Sequence, residues 1–231
     1  LFDLCLQNGL SNIIFSSTAT VYGNPTHKGL VSETDDIRPI NPYGESKVRT
    51  EHYLQQFDSS KIKYIILRYF NVAGADPKMR SGLIKKNPTH LIKIASEAAI
   101  GKRRGDVRIF GNDYNTPDGT AIRDYIHVSD LADIHIKVLQ FVLEKKQSEI
   151  FNCGYGKGYS VKDVLNVTNS LCKNRINILN APRRPGDAEM VVSDIGKLKR
   201  MIDWTPKYNK LDFIIKTAID WELKLQNEKI S

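Results

Sequence analysis

Residues Lys63 to Ala75 read KYIILRYFNVAGA, and this stretch decides the fold class. Its apolar, β-branched and aromatic run leads to a glycine, which is typical of a parallel strand buried on both faces. A shorter run of the same kind, NIIFSS from Asn12 to Ser17, lies upstream. Between the two, a helical pattern extends from Pro42 to Phe57 with a proline near its start. Strand, helix and strand in this order predict a βαβ unit with a right-handed crossover.

The alternation of helices and strands continues along the chain. Further helices are predicted in HLIKIASEAAIG (90–101), DLADIHIKVLQFVLE (130–144) and SVKDVLNVTNSL (160–171), the last with Ser160 as its N-cap. Strands are predicted in VRIFG (107–111) and IFNCG (150–154), and an irregular loop in PRRPGD (182–187). This order indicates an α/β fold with a parallel sheet, and the less regular pattern after Ala75 indicates a smaller second region that folds back onto the sheet.

The composition is that of a globular chain. It has 231 residues, of which 41% are hydrophobic, enough for a core and for one or two domains. No run approaches the roughly 20 apolar residues of a membrane span, and the opening LFDLCLQNGL does not resemble a signal peptide. Cys5, Cys153 and Cys172 are scattered, so we expect buried free thiols, no disulfide framework, no metal site and a cytoplasmic location.

The net charge of +8 fits either nucleic acid or small anions such as nucleotide phosphates. The cationic clusters are short and are not interleaved with aromatic residues, as a single-strand-binding surface would be. We therefore expect a small anionic ligand and no nucleic acid partner. These clusters are Lys85-Lys86, Lys102-Arg103-Arg104 and Arg183-Arg184.

The segment NPYGESK places Tyr43 four residues before Lys47. On a helix the two side chains share one face, and an ammonium favours the phenolate form of a neighbouring phenol, whose pKa is ordinarily about 10. Upstream, Ser16, Ser17 and Thr18 follow the first predicted strand, at the sheet edge where ligands of open α/β folds collect. A Ser/Thr hydroxyl, a tyrosine and a lysine that converge there form a proton-handling set that needs no metal.

The sequence resembles the extended short-chain dehydrogenase/reductases, and within them the UDP-glucose 4-epimerase (UDP-galactose 4-epimerase) family. The resemblance extends from the first residues to about Trp221. It is carried by FSSTATVYG, NPYGESK, LRYFNVAGA, IFGNDYNTPDGTAIRDYIHVSDLAD, IFNCGYGKGYSVKDV and RRPGD. Related nucleotide-sugar dehydratases follow the Ser/Thr with acidic residues, whereas Ala19 and Thr20 follow Thr18 here. That difference indicates reversible redox chemistry at one carbon without elimination.

The resemblance implies catalytic and cofactor roles. Tyr43 would be the general base that takes the proton of the sugar 4-hydroxyl as NAD is reduced. Lys47 would make that phenol more acidic and bind the nicotinamide ribose, and Thr18 would hydrogen-bond the sugar O4. Ser16 and Phe70 would contact NAD. The 4-keto sugar would then turn over and be reduced on its opposite face.

The resemblance also implies a UDP-sugar site. Arg123 and Arg184 would grip the diphosphate, because guanidinium groups suit such oxygens, and Asn71 would contact the same group. The uridine and ribose positions are matched by Leu91, Phe110 and Asp187.

Two positions vary within the family. His90 stands where some members have Asn, and it would contact the diphosphate or the sugar. Val191 stands where some members have a bulky Tyr beside the sugar C2. A small residue there is associated with N-acetylated sugars, so we expect turnover of UDP-N-acetylglucosamine and UDP-N-acetylgalactosamine as well.

The resemblance begins partway through the family's fold, and the chain contains no G-x-x-G-x-x-G loop for a cofactor diphosphate. Residues 1–75 would be the C-terminal half of the NAD-binding Rossmann domain. Residues 76–231 would be the UDP-sugar-binding region, with segments around 125–153 packing back onto the Rossmann sheet. We therefore expect a partial Rossmann-like doubly wound parallel sheet with a smaller mixed α/β region.

Expectations for activity follow from the same comparison. Such a fragment alone would bind NAD poorly, show little epimerase activity and expose a strand edge, and the full-length protein would be a homodimer. Two alternatives stay open. One is a natural half-length protein that binds UDP-sugars without catalysis, and the other is a related nucleotide-sugar reductase or N-acetylhexosamine-specific epimerase.

Overall fold

A computed structural model describes residues 1–25, 29–57, 60–102, 107–172 and 176–228. The helices are α1 (Phe2–Gln7), α2 (Pro42–Gln55), α3 (Leu91–Ala99), α4 (Val128–Lys145), α5 (Val161–Leu171), α6 (Gly196–Met201) and α7 (Leu211–Glu228). The strands are β1 (Asn12–Thr18), β2 (Lys63–Tyr69), β3 (Asn71–Ala73), β4 (Val107–Phe110), β5 (Ile122–His127), β6 (Glu149–Cys153), β7 (Gly158–Ser160), β8 (Ile178–Ala181) and β9 (Met190–Val191).

The first sheet has the order β1-β2-β6, and its strands are parallel. This arrangement confirms the predicted α/β class, and β1, α2 and β2 form the predicted strand–helix–strand unit. The register pairs Thr18 with Tyr69 and Tyr69 with Cys153, so the carboxyl ends of the three strands lie side by side. β1 stands at the edge of this sheet, as expected.

The second sheet is built around β5, which the sequence reading did not identify as a strand. β3 pairs with β5 in parallel, β7 pairs with it antiparallel, and β9 pairs with it in parallel. Arg123 and Asp124 interrupt the apolar pattern of β5, so the sequence does not show this segment as a strand. Both side chains make specific polar contacts. β4 and β8 form a separate parallel pair.

The β-rich stretch from Lys63 to Ala75 forms two strands, β2 and β3. Phe70 lies between them, and its N–H donates to the Cys153 carbonyl at 3.0 Å. Its side chain is buried in a small cluster with Ala19 and Val48. The chain therefore leaves one sheet at Tyr69 and joins the other at Asn71.

The helices end close to where the sequence predicts. α5 begins at the predicted cap, because Ser160 Oγ accepts from the Asp163 N–H while the Asp163 carboxylate accepts from the Ser160 N–H. α3 stops before Gly101, which has a φ of 72°. The segment 182–187 is irregular, as predicted.

Two hydrophobic clusters hold the helices against the strands. One cluster packs β2 and β6 against α4 and α6, and a second joins α3, α5 and α7 to β4. The division into residues 1–75 and 76–231 stays a prediction, although β6 from the later segment pairs directly with β2.

The three cysteines are free thiols, but only Cys153 is fully buried, and Cys5 and Cys172 are half-buried. Burial raises the pKa of the Cys153 thiol. Within the described ranges, no helix is long and apolar enough to cross a bilayer.

Candidate functional site

The start of α2 presents Tyr43 and Lys47 at the carboxyl end of the first sheet. Asn41 caps the helix by accepting from the Gly44 N–H at 2.8 Å, so Tyr43 lies in the first turn and Lys47 one turn later. The Lys47 Nζ lies 5.8 Å from the centroid of the Tyr43 ring and donates to the Ser16 carbonyl at 2.8 Å. Tyr43 is 56% exposed, so its hydroxyl is open to a ligand.

Gly44 explains how α2 approaches β1 so closely. A Cβ at this position would lie 2.9 Å from the Thr20 carbonyl oxygen, too near for any side chain. The turn that follows Thr18 therefore packs against the residue next to Tyr43. This contact brings the predicted hydroxyl and the predicted tyrosine to one place.

Thr18 ends β1 and is buried. Its hydroxyl accepts from the Thr20 N–H at 3.2 Å and lies 3.0 Å from the Thr20 hydroxyl oxygen. Two threonine hydroxyls thus form a short polar chain beside the start of α2. Ala19 is buried in the cluster around Phe70, so the residue after Thr18 brings no carboxylate to this turn.

A buried ion pair holds α2 against β2. Arg68 donates to Glu51 from two nitrogens, with Nη2 2.7 Å from Oε2, and both side chains are at most 1% exposed. Glu51 also accepts from the Ser17 hydroxyl, next to Thr18. Arg68 further donates to the Tyr22 hydroxyl at 3.0 Å, and burial raises the pKa of Tyr22 to about 12 despite that cation. The pair fixes the position of the helix that carries Tyr43.

Tyr69 links the first strands to α4. Its hydroxyl lies 2.6 Å from Ser16 Oγ and 2.6 Å from His135 Nε2. Burial raises the pKa of Tyr69, an effect that the Ser16 hydrogen bond opposes and that Cys153 and Tyr43 reinforce. Ser16 is exposed, so this chain of side chains ends at the surface beside Lys47.

A cavity of ≈ 720 Å³, here called the polar cavity, lies between β5, β4 and the start of α3. Ring, amide, carboxylate and guanidinium groups line it together. The predicted site residues in its wall are Asn71, His90, Leu91, Phe110, Arg123, Arg184 and Asp187. Residues that the sequence spreads over more than a hundred positions therefore meet at one place.

The two arginines of the polar cavity are held differently. Arg123 is mostly buried on β5, donates from Nη1 to the Ile122 carbonyl at 2.8 Å and pairs through Nη2 with Asp187. Arg184 is exposed, and its Cζ lies 3.8 Å from the centroid of the Phe110 ring. Within the described ranges it has no carboxylate partner, so its charge is available to an anion.

His90 and Leu91 stand where α3 begins. His90 occupies the cap position, but its side chain accepts no hydrogen bond from the first turn. Burial and the charge of Lys85 lower the His90 pKa. His90 thus lines the polar cavity at the start of α3, with an imidazole whose burial disfavours the charged form.

Val191 and Phe70 lie outside the walls of the polar cavity. Val191 pairs with Arg123 across β9 and β5, and it packs against the cluster that contains Ala19 and Phe70. It therefore stands between the arginine and the turn after Thr18. Phe70 is 5% exposed and faces the core.

A second cavity of ≈ 840 Å³ shares Asn71, His90, Leu91 and Tyr125 with the polar cavity. Its charged walls are paired, since Arg80 binds Asp76 and Lys93 binds Glu222. It is therefore a less suitable anion site than the polar cavity.

Sequence reasoning missed Glu51, Arg68, Tyr69 and His135. Tyr69 sits inside LRYFN, and its place directly before Phe70 was a usable signal. His135 carries no local signal, because only the packing of α4 on β2 brings it to Tyr69.

Comparisons with known proteins agree with this geometry. The model of the NAD dependent epimerase/dehydratase family matches residues 1–154. A UDP-glucose 4-epimerase of Azospirillum brasilense is 44% identical over 98% of this chain, and the chain spans 65% of that relative. Another, from Halalkalibacterium halodurans, is 41% identical over 94% of this chain, which spans 64% of it. The chain thus spans less than two thirds of these relatives.

Solved structures give the same family. A UDP-glucose-4-epimerase from Stenotrophomonas maltophila, with bound NAD and formylated UDP-arabinopyranose, superposes with a TM-score of 0.94 at 31% identity, covering 99% of this chain and 68% of that one. The UDP-Glc/GlcNAc 4-epimerase of Campylobacter jejuni superposes with a TM-score of 0.79 at 44% identity, covering 96% of this chain and 67% of that one. By sequence and fold, this chain belongs to the NAD dependent epimerase/dehydratase family.

Proposed function

We propose that this chain is the part of a UDP-hexose 4-epimerase that holds the proton-transfer residues and the uridine diphosphate. One observation carries the proposal. Seven of the residues expected around UDP-sugar line the polar cavity, and an arginine without a carboxylate partner in the described ranges stands among them. Neither feature is expected of a cavity with a purely structural role.

The diphosphate fits the cationic side of the polar cavity. Within the described part of the chain Arg184 has no carboxylate partner and can donate paired hydrogen bonds, and Arg123 adds a second guanidinium held in place by β5. Two guanidinium groups match the two charges of the diphosphate. Asn71 and the start of α3 supply further neutral donors.

The nucleoside fits the adjoining part of the polar cavity. Leu91 and Phe110 offer apolar and aromatic surface to a pyrimidine ring. The Asp187 carboxylate has acceptor capacity beyond its bond with Arg123, and vicinal ribose hydroxyls are suitable donors.

Tyr43 is the proposed general base. It accepts the proton of the sugar 4-hydroxyl during oxidation and returns it to the ketone oxygen after the sugar has turned over. The Lys47 ammonium lies 5.8 Å from the centroid of the Tyr43 ring, on the same face of α2, and is the cation proposed to accompany the base. Thr18 orients the reacting oxygen. Its hydroxyl contacts that of Thr20, so a proton on Thr18 has a second oxygen to which it can pass.

NAD is the proposed cofactor, and it supplies the redox chemistry at C4. The residues present suit its nicotinamide end, because Ser16 is exposed beside Lys47 and both lie next to Tyr43. Phe70, which is buried, would reach the cofactor only through its backbone. Related structures with bound NAD support this assignment.

Val191 supports a broad sugar range. It is a small side chain between the diphosphate side of the site and the Thr18 turn, where a larger residue would occupy space beside the sugar. The similar Campylobacter jejuni protein is described as acting on both UDP-Glc and UDP-GlcNAc. We therefore include the N-acetylated pair among the substrates.

The first test measures UDP binding by titration calorimetry. Arg184→Ala should weaken UDP binding by about tenfold to a hundredfold, because a charged hydrogen-bonding pair is lost. Arg183→Ala is the matched control: Arg183 binds Asp113 and stacks on Tyr114, outside the polar cavity. Equal losses in the two variants, or wild-type affinity in Arg184→Ala, would contradict the site.

Activity is then measured as interconversion of UDP-glucose and UDP-galactose with added NAD. UDP binding together with interconversion supports the epimerase. UDP binding without interconversion or NAD binding fits both the inactivity expected of such a fragment and the non-catalytic UDP-sugar binder.

A further inference from the structure

Tyr125 stands in the wall that the two cavities share. It lies on β5, and the register pairs it with Asn71 on β3. Because side chains alternate along a strand, Tyr125 is on the same face of β5 as Arg123 and on the opposite face from Asp124. Asn71, Arg123 and Tyr125 all line the polar cavity. Tyr125 therefore belongs to the row of side chains from which the proposed diphosphate contacts come.

The ring of Tyr125 is held by apolar packing. It is 4% exposed and belongs to the hydrophobic cluster that also contains Ile92 and Ala95 of α3 and Ile215 of α7. This packing accounts for the ring but not for the hydroxyl. The two can be tested separately, because a phenylalanine keeps the ring and removes only the oxygen.

The Tyr125 hydroxyl forms no hydrogen bond with any part of the chain that the structure describes. Other buried tyrosines are bonded, since the Tyr22 hydroxyl donates to Asn152 and the Tyr155 hydroxyl donates to Asp130, both at 2.6 Å. A buried hydroxyl without a partner lowers the stability of the folded state. A ligand that supplies an acceptor would remove that cost.

The charges that act on Tyr125 are those of the polar cavity. Burial raises the pKa of Tyr125, the Arg123 guanidinium opposes this effect, and the Asp187 carboxylate reinforces it. Arg123 and Asp187 pair with each other in the cavity wall. Because the effect of burial is the largest, the phenol keeps its proton and is a neutral hydrogen-bond donor.

We propose that Tyr125 is a further ligand-binding residue, whose hydroxyl donates a hydrogen bond to a phosphate oxygen of the uridine diphosphate between Arg123 and Asn71. The identity of the ligand rests on the proposed function. The position of Tyr125 in the cavity wall and its unpartnered hydroxyl in the described ranges are properties of the chain itself.

A phosphate oxygen is the acceptor that fits this position best. The neighbours of Tyr125 in the row, Arg123 and Asn71, both carry N–H donors. An ionised oxygen accepts several hydrogen bonds at once, and each is stronger than a bond between neutral groups. A ribose hydroxyl is the competing acceptor, because Asp187 is the group proposed to hold the ribose. The first experiment separates these two acceptors.

The first experiment measures the binding of UDP and of uridine by titration calorimetry. Tyr125→Phe should weaken UDP binding about tenfold, because a hydrogen bond to a charged oxygen is lost. Uridine, which has no phosphate, should bind the variant as it binds the wild type. Equal losses for UDP and uridine overturn the phosphate contact, and wild-type affinity for UDP overturns any contact.

Tyr114→Phe is the matched control for this titration. The Tyr114 hydroxyl is also buried without a hydrogen-bond partner in the described part of the chain, but Tyr114 does not line the polar cavity. Its removal should leave UDP binding unchanged. A loss equal to that of Tyr125→Phe would show a general effect of removing buried hydroxyls, and would contradict a specific role for Tyr125.

The second experiment compares thermal unfolding with and without UDP. Free Tyr125→Phe should unfold at a temperature no lower than the wild type, since no hydrogen bond within the protein is lost. Saturating UDP should raise the unfolding temperature less in the variant than in the wild type. Tyr155→Phe loses the bond to Asp130 and should unfold at a lower temperature. A similar decrease in free Tyr125→Phe would reveal a structural partner and overturn the proposal.

The outcomes also separate this inference from the proposed function. Weakened UDP binding in Arg184→Ala together with wild-type binding in Tyr125→Phe overturns the role of Tyr125 alone. Failure of UDP to bind the wild-type chain overturns both.

Discussion

Single residues in this site differ in how firmly the fold holds them. Tyr43 is mostly exposed, whereas Thr18 is buried and Arg123 is fixed by β5. The exposed residues make the contacts that a ligand can complete, and the buried ones set their spacing. Substitutions of exposed residues should therefore change chemistry more than stability.

Tyr43→Phe removes the proposed base and leaves its ring. In protein that interconverts the UDP-sugars, we expect kcat to fall by about 10²–10⁴-fold, the usual contribution of a general base. UDP affinity should stay within a few-fold, since Tyr43 is not part of the polar cavity. Tyr53→Phe is the control, because this exposed phenol on the same helix binds Asp3. A kcat close to wild type in Tyr43→Phe would exclude the role.

Val191→Tyr fills the space proposed for the N-acetyl group. The ratio of turnover on UDP-N-acetylglucosamine to turnover on UDP-glucose should fall by tenfold or more, since a clash of this kind costs more than about 1.4 kcal/mol. Val191→Ala should keep the ratio. Product analysis on both sugars measures it, and an unchanged ratio in Val191→Tyr shows that the residue does not limit sugar size.

At the scale of elements, buried polar contacts hold the helices in place. Glu51→Gln leaves the Arg68 charge buried without a carboxylate, so the free energy of unfolding should fall by about 3–5 kcal/mol. Glu45→Gln breaks an exposed pair with Arg49 and should cost less than about 1 kcal/mol. Urea denaturation measures both, and equal effects would mean that the buried pair adds no more stability than the exposed one.

His127 joins β5, α4 and α7, and it should make stability depend on pH. Its ring is buried, accepts from the Ser129 N–H at Nδ1 and meets Thr217 at Nε2. Burial lowers the His127 pKa to about 4, against about 6.5 for an unfolded histidine. Between these values the unfolded chain binds the extra proton, so this stability is complete above about pH 6.5 and is lost as the pH falls toward 4.

The expected loss from His127 is on the order of 3 kcal/mol over that window. His127→Asn retains an acceptor for the helix cap and removes the titration, so its unfolding free energy should depend less on pH. His52→Asn, at an exposed position, should keep the wild-type slope. Equal slopes in wild type and His127→Asn would show that another group is responsible.

The prediction of elements succeeded where the apolar pattern was long. β1, α2 and α4 were located within a few residues, because their patterns record burial directly. β5, β7 and β9 were missed, since short strands are held by their partners rather than by their own composition. Arg123 and Asp124, at the centre of β5, bind Asp187 and Ser193 respectively. Such contacts leave no periodic pattern in the sequence.

At the scale of the whole molecule, the resemblance located residues of the polar cavity that spacing alone could not. Asn71, Arg123 and Arg184 stand far apart in sequence, and only the second sheet and the loop after β8 bring them together. Contacts between a helix and a strand, such as that of His135 with Tyr69, have no counterpart in any motif. Their prediction requires the packing of α4 on β2.

The passage of the backbone from one sheet to the other takes a single residue, Phe70. Tyr69, before it, donates to Ser16, and Asn71, after it, lines the polar cavity. The distance between Ser16 and the polar cavity is therefore set by three consecutive residues, with the buried Phe70 ring in the middle. A substrate whose reactive carbon lies at another distance from its phosphates would not fit both places at once.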